Sequence, residues 1–387
     1  MNMTNHRILI GSVLKPTNDS RMYEKIGKSL SLLTNTEIHI AGFKSDQTNE
    51  SNLYFYPIFS GTRISIWRLI APWKFLIRAL KVKPDTIIVS THELLLVTYL
   101  YKILFGCRFI YDVQENYFHN ILYTDAFPSL IKSIIARWVR FKERACKKHI
   151  DGYLLAEKIY HKELSDRIKE PVLVLENKYV GIAPNTVKIV TIKDELKIKL
   201  LYSGTIATSY GVFEAIDLVI RLYLKDSRFE LTIMGFAPSC RELTKVKNRI
   251  ASFPFIKLIG GEKPIDHTEI LSAIQTHHIG LLPYRFNEST HLRVPTKLFE
   301  YFLNHLPVIC SYNPTWQEYV ETYQAGIVIQ FNNLPPAIDI FDQIFNATFF
   351  TKGDHQNLIW EESKLQNWYK IFFLETNNKA PALNLPQ

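Results

Sequence analysis

The stretch 281–309 reads LLPYRFNESTHLRVPTKLFEYFLNHLPVI and brings Lys297 and Glu300 within one turn of a helix start. An apolar strand over 279–282 ends at Pro283. A polar loop follows with Arg285, His291 and Arg293, and Pro295 opens a helix whose first turn holds Thr296, Lys297 and Glu300. A helix N-terminus offers free N–H groups and a partial positive charge, which suit a phosphate. Lys297 adds a mobile full charge, and Glu300 can accept two hydroxyl hydrogen bonds, as from a ribose. The combination points to a nucleotide diphosphate site. The same spacing also describes a plain capped helix between two buried strands, and both readings stand at this level.

A second stretch, LLYSGTIATSYGVFEAI, runs from a strand over 200–202 through Ser203-Gly204-Thr205 to a helix near Tyr210-Gly211. Gly204 lets a ligand approach the backbone. G-x-G-x-x-G is absent, so the dinucleotide fingerprint is not met.

These residues need a scaffold. Short apolar runs predict strands over 7–13, 37–41, 53–56, 86–90, 108–112, 152–156 and 172–175, with helical patterns over 20–33, 64–80, 93–104, 129–147 and 157–168 between them. Further strands are predicted over 197–202, 229–234, 256–259, 279–282, 308–310 and 326–329. Apolar strands alternating with helices imply parallel sheets covered on both faces. The expected class is α/β, with two doubly wound Rossmann-like domains facing across a cleft. Ligands of such sheets bind outside the carboxyl ends of the strands. The expected division is an N-terminal domain over 1–178, a polar linker over 179–195, a C-terminal domain over 196–355, a C-terminal helix over 356–375 packing back on the N-terminal domain, and a flexible tail over 376–387.

At this point a resemblance can be stated. SGTIATSYGVFEAI, then MGF, GLLPY and PTKLFEYFLNHLPVI, resemble glycosyltransferase family 4, whose members have the GT-B fold. STHELLL, YDVQEN and SVLKPTNDSRMYEKIGKSL resemble the family's acceptor-side segments and its first strand, loop and helix. The resemblance implies a retaining, metal-independent transferase that binds a nucleotide sugar with its C-terminal domain and an acceptor with its N-terminal one. It implies no cofactor beyond the nucleotide-sugar co-substrate. It places Gly204, Pro295, Thr296, Lys297 and Glu300 on the donor, and Thr205, Tyr284 and Arg285 beside them are further donor-side candidates. It makes Glu300, Lys297, Arg293 and Glu115 the catalytic candidates, and Asn18, Asp19, Arg21, His92, Gln114 and Glu115 the acceptor-side ones.

The chain departs from the family pattern. Thr205 and Tyr210 stand where many members carry Arg and Lys, and Leu292 replaces the first of two glutamates eight positions apart. Two cations and one carboxylate are thereby lost, leaving Lys297, Arg293, Arg285 and Lys178 as the candidate charges for the diphosphate. Gln114 occupies the place of a histidine; it can bond a sugar hydroxyl but cannot carry a proton at neutral pH. Glu115 reads equally as a helix-cap or ion-pair residue, and His92 and Glu93 as structural groups at a strand end. For Asn18, Asp19 and Arg21 the alternative to a loop over the donor is an Asx turn with helix capping.

The whole formal charge of +9 lies in residues 1–175, which hold 25 Lys and Arg against 16 Asp and Glu. The segment 130–149 alone has seven Lys and Arg and one acid, and 64–81 adds Arg68, Lys74, Arg78 and Lys81 beside Trp67 and Trp73. A basic amphipathic helix with Trp suits an anionic membrane surface; the other reading is an ordinary helix with its apolar face in the core. Nucleic acid is not expected, because no binding module is visible. No apolar run approaches the roughly 20 residues that span a bilayer, and the N-terminus lacks a signal-peptide pattern. Cys107, Cys146, Cys240 and Cys310 are widely spaced and form no CxxC or Cys/His cluster, so neither zinc nor disulfides are indicated. The expectation is a cytoplasmic, peripherally membrane-associated transferase acting on a lipid-linked or glycan acceptor in polysaccharide or glycoconjugate synthesis. The alternatives are a nucleotide-sugar epimerase of the same fold and a catalytically inactive binding relative.

Overall fold

The structure is a computed structural model that describes residues 5–60, 66–123, 129–181, 188–286 and 293–374. It divides into two compact units, 1–180 with 360–387, and 181–359. The first unit holds β1 (His6–Pro16), β2 (Thr36–Phe43), β3 (Leu53–Phe59), β4 (Thr86–Val89), β5 (Arg108–Val113), β6 (Gly152–Leu155) and β7 (Val172–Val174). They form one parallel sheet in the order β3-β2-β1-β4-β5-β6-β7. Its strands are apolar on both faces, as a doubly covered sheet requires. Alternate residues feed two cores: Leu9, Ile87 and Phe109 on one face, Ile8, Ile10, Ile88 and Ile110 on the other.

The C-terminal residues Trp360, Leu365, Trp368, Tyr369 and Phe373 belong to the second of these cores. The Tyr369 hydroxyl donates to Thr86 Oγ1 at 2.6 Å, and Trp360 Nε1 donates to Ser29 Oγ at 2.8 Å. The C-terminal helix thus packs on the N-terminal sheet. Its regular part is Glu362–Tyr369, shorter than the expected 356–375. The chain is extended at Ile359, and the Trp360 N–H bonds the Tyr179 carbonyl instead of continuing a helix.

The second unit holds β8 (Ile198–Thr205), β9 (Phe229–Phe236), β10 (Ile256–Gly261), β11 (Ile279–Leu282), β12 (Val308–Ser311) and β13 (Gly326–Ile329). These form a parallel sheet in the order β10-β9-β8-β11-β12-β13. The polar segment after 187 joins this unit: Val190 bridges Phe349 and Ile192 is buried. Strand order reverses between β1 and β4 in one sheet and between β8 and β11 in the other. Loops diverge at such switch points and leave a crevice at the strand ends.

Local differences from the sequence pattern have physical causes. The 20–33 helix begins as a π-helix, Ser20–Gly27, followed by one α turn, Lys28–Ser31. The 157–168 pattern yields only Ile159–Glu163. A helix at Tyr117–Tyr123 has too little apolar period to stand out in the sequence. The basic helix Ser129–Cys146 buries Ala136, Val139 and Cys146, whereas Ile134, Trp138 and Phe141 stay more than half exposed. Its cations are not all solvated either: Lys142 is buried and the Arg140 guanidinium lies 3.3 Å over the Phe118 ring.

Candidate active site

The switch point of the second unit is built around bare backbone. Gly204 sits at φ +114°, a conformation L side chains rarely adopt, near the end of β8. It pairs in register with Gly235 on β9. A Cβ on Gly235 would lie 1.7 Å from the Gly204 carbonyl oxygen, so this floor requires glycine. Lys297 lies across Gly204: a Cβ there would meet Lys297 Cε at 2.5 Å and Nζ at 2.9 Å. The Lys297 ammonium donates to Ser203 Oγ at 3.2 Å, and Ser203 shares a 2.7 Å hydrogen bond with the buried Tyr301 hydroxyl. Burial lowers the Lys297 pKa, opposed by the Glu300 carboxylate.

Lys297 comes from the helix Thr296–Leu303, entered from Pro295 with extended backbone and no side-chain cap. The first N–H groups of such a helix have no intrahelical partners. Glu300, one turn in, is buried and bonded to His267 Nε2, whose side chain is largely exposed. His267 begins the helix that follows β10. Nothing in the sequence spacing marks it, since 33 residues separate it from Glu300. A second uncapped start faces the same strand ends: the helix Val212–Lys225 begins at Gly211 with φ +75°. A Cβ on Gly211 would strike the Pro283 carbonyl at 1.7 Å.

The remaining donor-side candidates are placed as follows. Arg285 bonds Glu214 Oε1 at 2.5 Å in the first turn of that helix. Tyr284 packs edge-on against Tyr210 and Trp316. The Thr205 carbonyl accepts from the Tyr202 hydroxyl at 2.7 Å. Thr296 is exposed. Arg293 is partly buried, and its carbonyl accepts from Trp316 Nε1 at 2.6 Å. His291 and Leu292 lie outside the described residues. Lys178, in the first unit, pairs with Glu361 at 3.3 Å.

In the first unit the acceptor-side candidates cluster at the ends of β4 and β5. Arg21 is buried and grips both oxygens of buried Asp112, donating from Nη2 at 2.7 Å and from Nε at 3.0 Å. It also donates to the Leu175 carbonyl and to Asn177. These bonds direct it into the scaffold. Asp19 caps the π-helix by accepting from the N–H groups of Arg21 and Met22, the capping alternative of the sequence reading, while Asn18 is exposed. Gln114 donates to Asp112 at 2.8 Å and Glu115 accepts from Asn120 at 2.6 Å.

His92 is buried and accepts from Lys142 at 2.8 Å. Burial is the main cause that brings its pKa down to about 4; Lys142 and Arg68 push the same way and Glu93 opposes them. His92 is therefore neutral at pH 7. Glu93 pairs with Arg68. Burial alone would raise the Glu93 pKa, but His92 and Arg68 hold it below the usual carboxylate range. Lys142 has no signal in the sequence, where it is one of a run of basic residues. Among the described residues no cluster of His, Cys, Asp and Glu could hold a metal ion, and the cysteines are unbridged.

No protein-family profile matches this chain, and no curated protein sequence matches it. Solved structures do. Sucrose-phosphate synthase from Thermosynechococcus elongatus is similar over 95% of this chain and 95% of its own, at 13% identity and a TM-score of 0.63. Anabaena HepE in complex with UDP-glucose matches over 95% of each chain, at 13% identity and a TM-score of 0.57. The UDP-GlcNAc 2-epimerase of Methanocaldococcus jannaschii matches over 95% of this chain and 99% of its own, at 12% identity and a TM-score of 0.54. The fold is of the GT-B type. At these identities the likeness speaks for architecture, and the chemistry has to be argued from the residues.

Proposed function

We propose that the chain is a glycosyltransferase, related to family 4, that moves a sugar from a nucleotide-sugar donor to a lipid-linked or glycan acceptor with retention of configuration. The observation that carries this reading is Lys297 lying across Gly204 at the β8/β11 switch point, one turn before buried Glu300. Departure of a nucleoside diphosphate builds negative charge at the bridging oxygen. A partly buried ammonium and an uncapped helix start stabilise that charge more strongly than water does. Glu300, with His267 beside it, is suited to the ribose hydroxyls. Arg293 enters from the turn before the helix. Gly204 and Thr205 line the phosphate side, and Tyr284, Arg285, Pro295 and Thr296 frame the donor.

The reaction needs no metal in this reading, because Lys297 and the helix start neutralise the diphosphate. The acceptor is assigned to the first unit, with Gln114, Glu115 and His92 at its strand ends and Asn18 at its first loop. His92 is neutral and already accepts from Lys142, and Arg21 holds Asp112. We therefore assign Glu115 the role of orienting the acceptor, and the leaving phosphate the role of taking its proton.

Membrane association is supported by three neighbouring helices of the first unit, Ala71–Val82, Leu95–Phe105 and Ser129–Cys146. Each leaves large apolar side chains exposed, among them Trp73, Ile77, Ile103, Phe105, Ile134 and Trp138. Exposed cations lie on two of the same helices, including Lys74, Lys81, Arg137 and Arg144. Apolar and cationic side chains together suit the anionic inner face of a cell membrane, where a lipid-linked acceptor resides. Among the described residues no helix is long and apolar enough to cross it.

The epimerase neighbour supports a second reading, interconversion of free nucleotide sugars without an acceptor. Nucleotide sugars offered with and without a membrane extract separate the two. Release of nucleoside diphosphate that depends on the extract supports transfer. An altered sugar nucleotide formed from the donor alone supports epimerisation and overturns transfer.

A further inference from the structure

Two buried hydroxyls, those of Ser203 and Tyr301, stand behind the Lys297 ammonium and have no part in the donor reading so far. Lys297 Nζ donates to Ser203 Oγ at 3.2 Å, and Ser203 Oγ shares a 2.7 Å hydrogen bond with the Tyr301 hydroxyl. An ammonium only donates, so the Ser203 oxygen takes one of its three protons. Among the described residues Lys297 has no other hydrogen-bond or ion-pair partner. Two of its N–H bonds are therefore left for a ligand.

The sheet is shaped to admit this pair. Tyr301 belongs to the helix that carries Lys297 and Glu300, and its ring lies against Gly280 on β11, between β8 and β12. A Cβ on Gly280 would lie 2.5 Å from Tyr301 Cδ2 and 2.6 Å from Cε2. Glycine inside a strand gives up side-chain packing and marks such a close approach. A phenylalanine ring would fill the same space. Two hydroxyls buried against each other gain little over an apolar pair of the same shape, so packing alone does not call for them. What they add is a fixed acceptor for Lys297. A lysine side chain has many rotamers, and ordering it when a ligand arrives costs affinity. Anchored on Ser203, it is ordered beforehand.

We infer that Ser203 and Tyr301 are positioning residues of the donor site: Tyr301 fixes the Ser203 hydroxyl, and Ser203 fixes the Lys297 ammonium over Gly204 with two N–H bonds free for the diphosphate. The inference rests on the donor reading of Lys297 and adds two residues that act through it without touching the donor.

The test sets stability against binding. Ser203→Ala alone strands the buried Tyr301 hydroxyl and should melt lower. Ser203→Ala/Tyr301→Phe removes both hydroxyls, strands neither, and should melt close to the wild type. Titration calorimetry with UDP, GDP, ADP, CDP and dTDP, continued with whichever binds the wild type, should find the double variant about tenfold weaker. Tyr301→Phe, which deletes one oxygen, should show the same effect at about threefold and serves if the double variant folds poorly. Added to Lys297→Ala, the two substitutions should change affinity less than about twofold, because they act through that ammonium. The pH profile should move as well. Burial lowers the Lys297 pKa, and an acceptor for the charged form opposes that. Affinity should therefore fall at lower pH in the double variant than in the wild type, read between about pH 6.5 and 9.5. The inference is overturned if the double variant and Tyr301→Phe bind as the wild type does, if the loss persists in the Lys297→Ala background, or if the pH profile stays in place. Those results leave the donor reading standing, provided Lys297→Ala itself weakens binding. A Lys297→Ala variant that binds as the wild type does, or a wild type that binds none of the five, overturns both.

Discussion

Gly204→Ala tests the phosphate anchor from the glycine side. The new methyl would sit 2.5 Å from Lys297 Cε and 2.9 Å from Nζ. A lysine tail is flexible, so it will swing away, and the contact itself will cost little. The backbone at φ +114° is a different matter. Strain of this kind costs about 1–3 kcal/mol, and in a unit of this size each kcal/mol lowers Tm by roughly 2–4 °C. The variant should therefore fold and melt a few degrees lower. Its ligand binding should suffer more specifically. Displacing Lys297 removes a charge-assisted hydrogen bond, worth about 1.5–3 kcal/mol, which is a loss of roughly 10- to 150-fold in diphosphate affinity. Titration calorimetry with UDP, GDP and ADP measures it, using whichever binds the wild type. The double variant Gly204→Ala/Lys297→Ala should bind no more weakly than Lys297→Ala alone, because both changes remove one interaction. A folded Gly204→Ala that binds nucleoside diphosphate at wild-type strength would refute the placement of Lys297 on the phosphates.

Other consequences concern the rest of the chain. Arg21→Ala leaves Asp112 buried and uncompensated and should lower stability by about 3–5 kcal/mol in urea denaturation; a loss under about 1 kcal/mol would contradict a scaffold role. His92, held at about 4 when folded against 6.5 when unfolded, contributes stability that is fully present above pH 6.5 and is lost as pH falls toward 4. The loss is about 3 kcal/mol, and His92→Asn, which keeps an acceptor for Lys142, should flatten the pH 4–6.5 dependence relative to wild type. Trp73→Glu with Phe141→Glu should cut sedimentation with phosphatidylglycerol-containing vesicles about tenfold; unchanged sedimentation would exclude this face as the membrane contact.

Much of the fold was legible because its signals are local. Each strand is a short apolar run, and burial on both faces makes such runs stand out from the amphipathic helices between them. Lys297, Glu300 and Gly204 were legible for the same reason, since strand, turn and helix follow one another within a few residues. What stayed hidden is what folding brings from afar. His267 reaches Glu300 from another helix, Lys142 turns inward from a basic run to reach His92, and Arg21 closes on Asp112 across 91 residues. The exposed apolar residues of the basic helix also defied pattern reading. Ile134 and Trp138 fit the period of a core face, yet the buried seam is the one through Ala136 and Val139.

The central claim is that Lys297 and Glu300 act on a nucleotide-sugar donor. Its most direct measurement is release of nucleoside diphosphate from a panel of nucleotide sugars, with a membrane extract as acceptor source, by wild type, Lys297→Ala and Glu300→Gln. The account predicts turnover by the wild type and a loss of about 100-fold or more in each variant, with melting temperatures little changed. Near-normal turnover in both variants would contradict it.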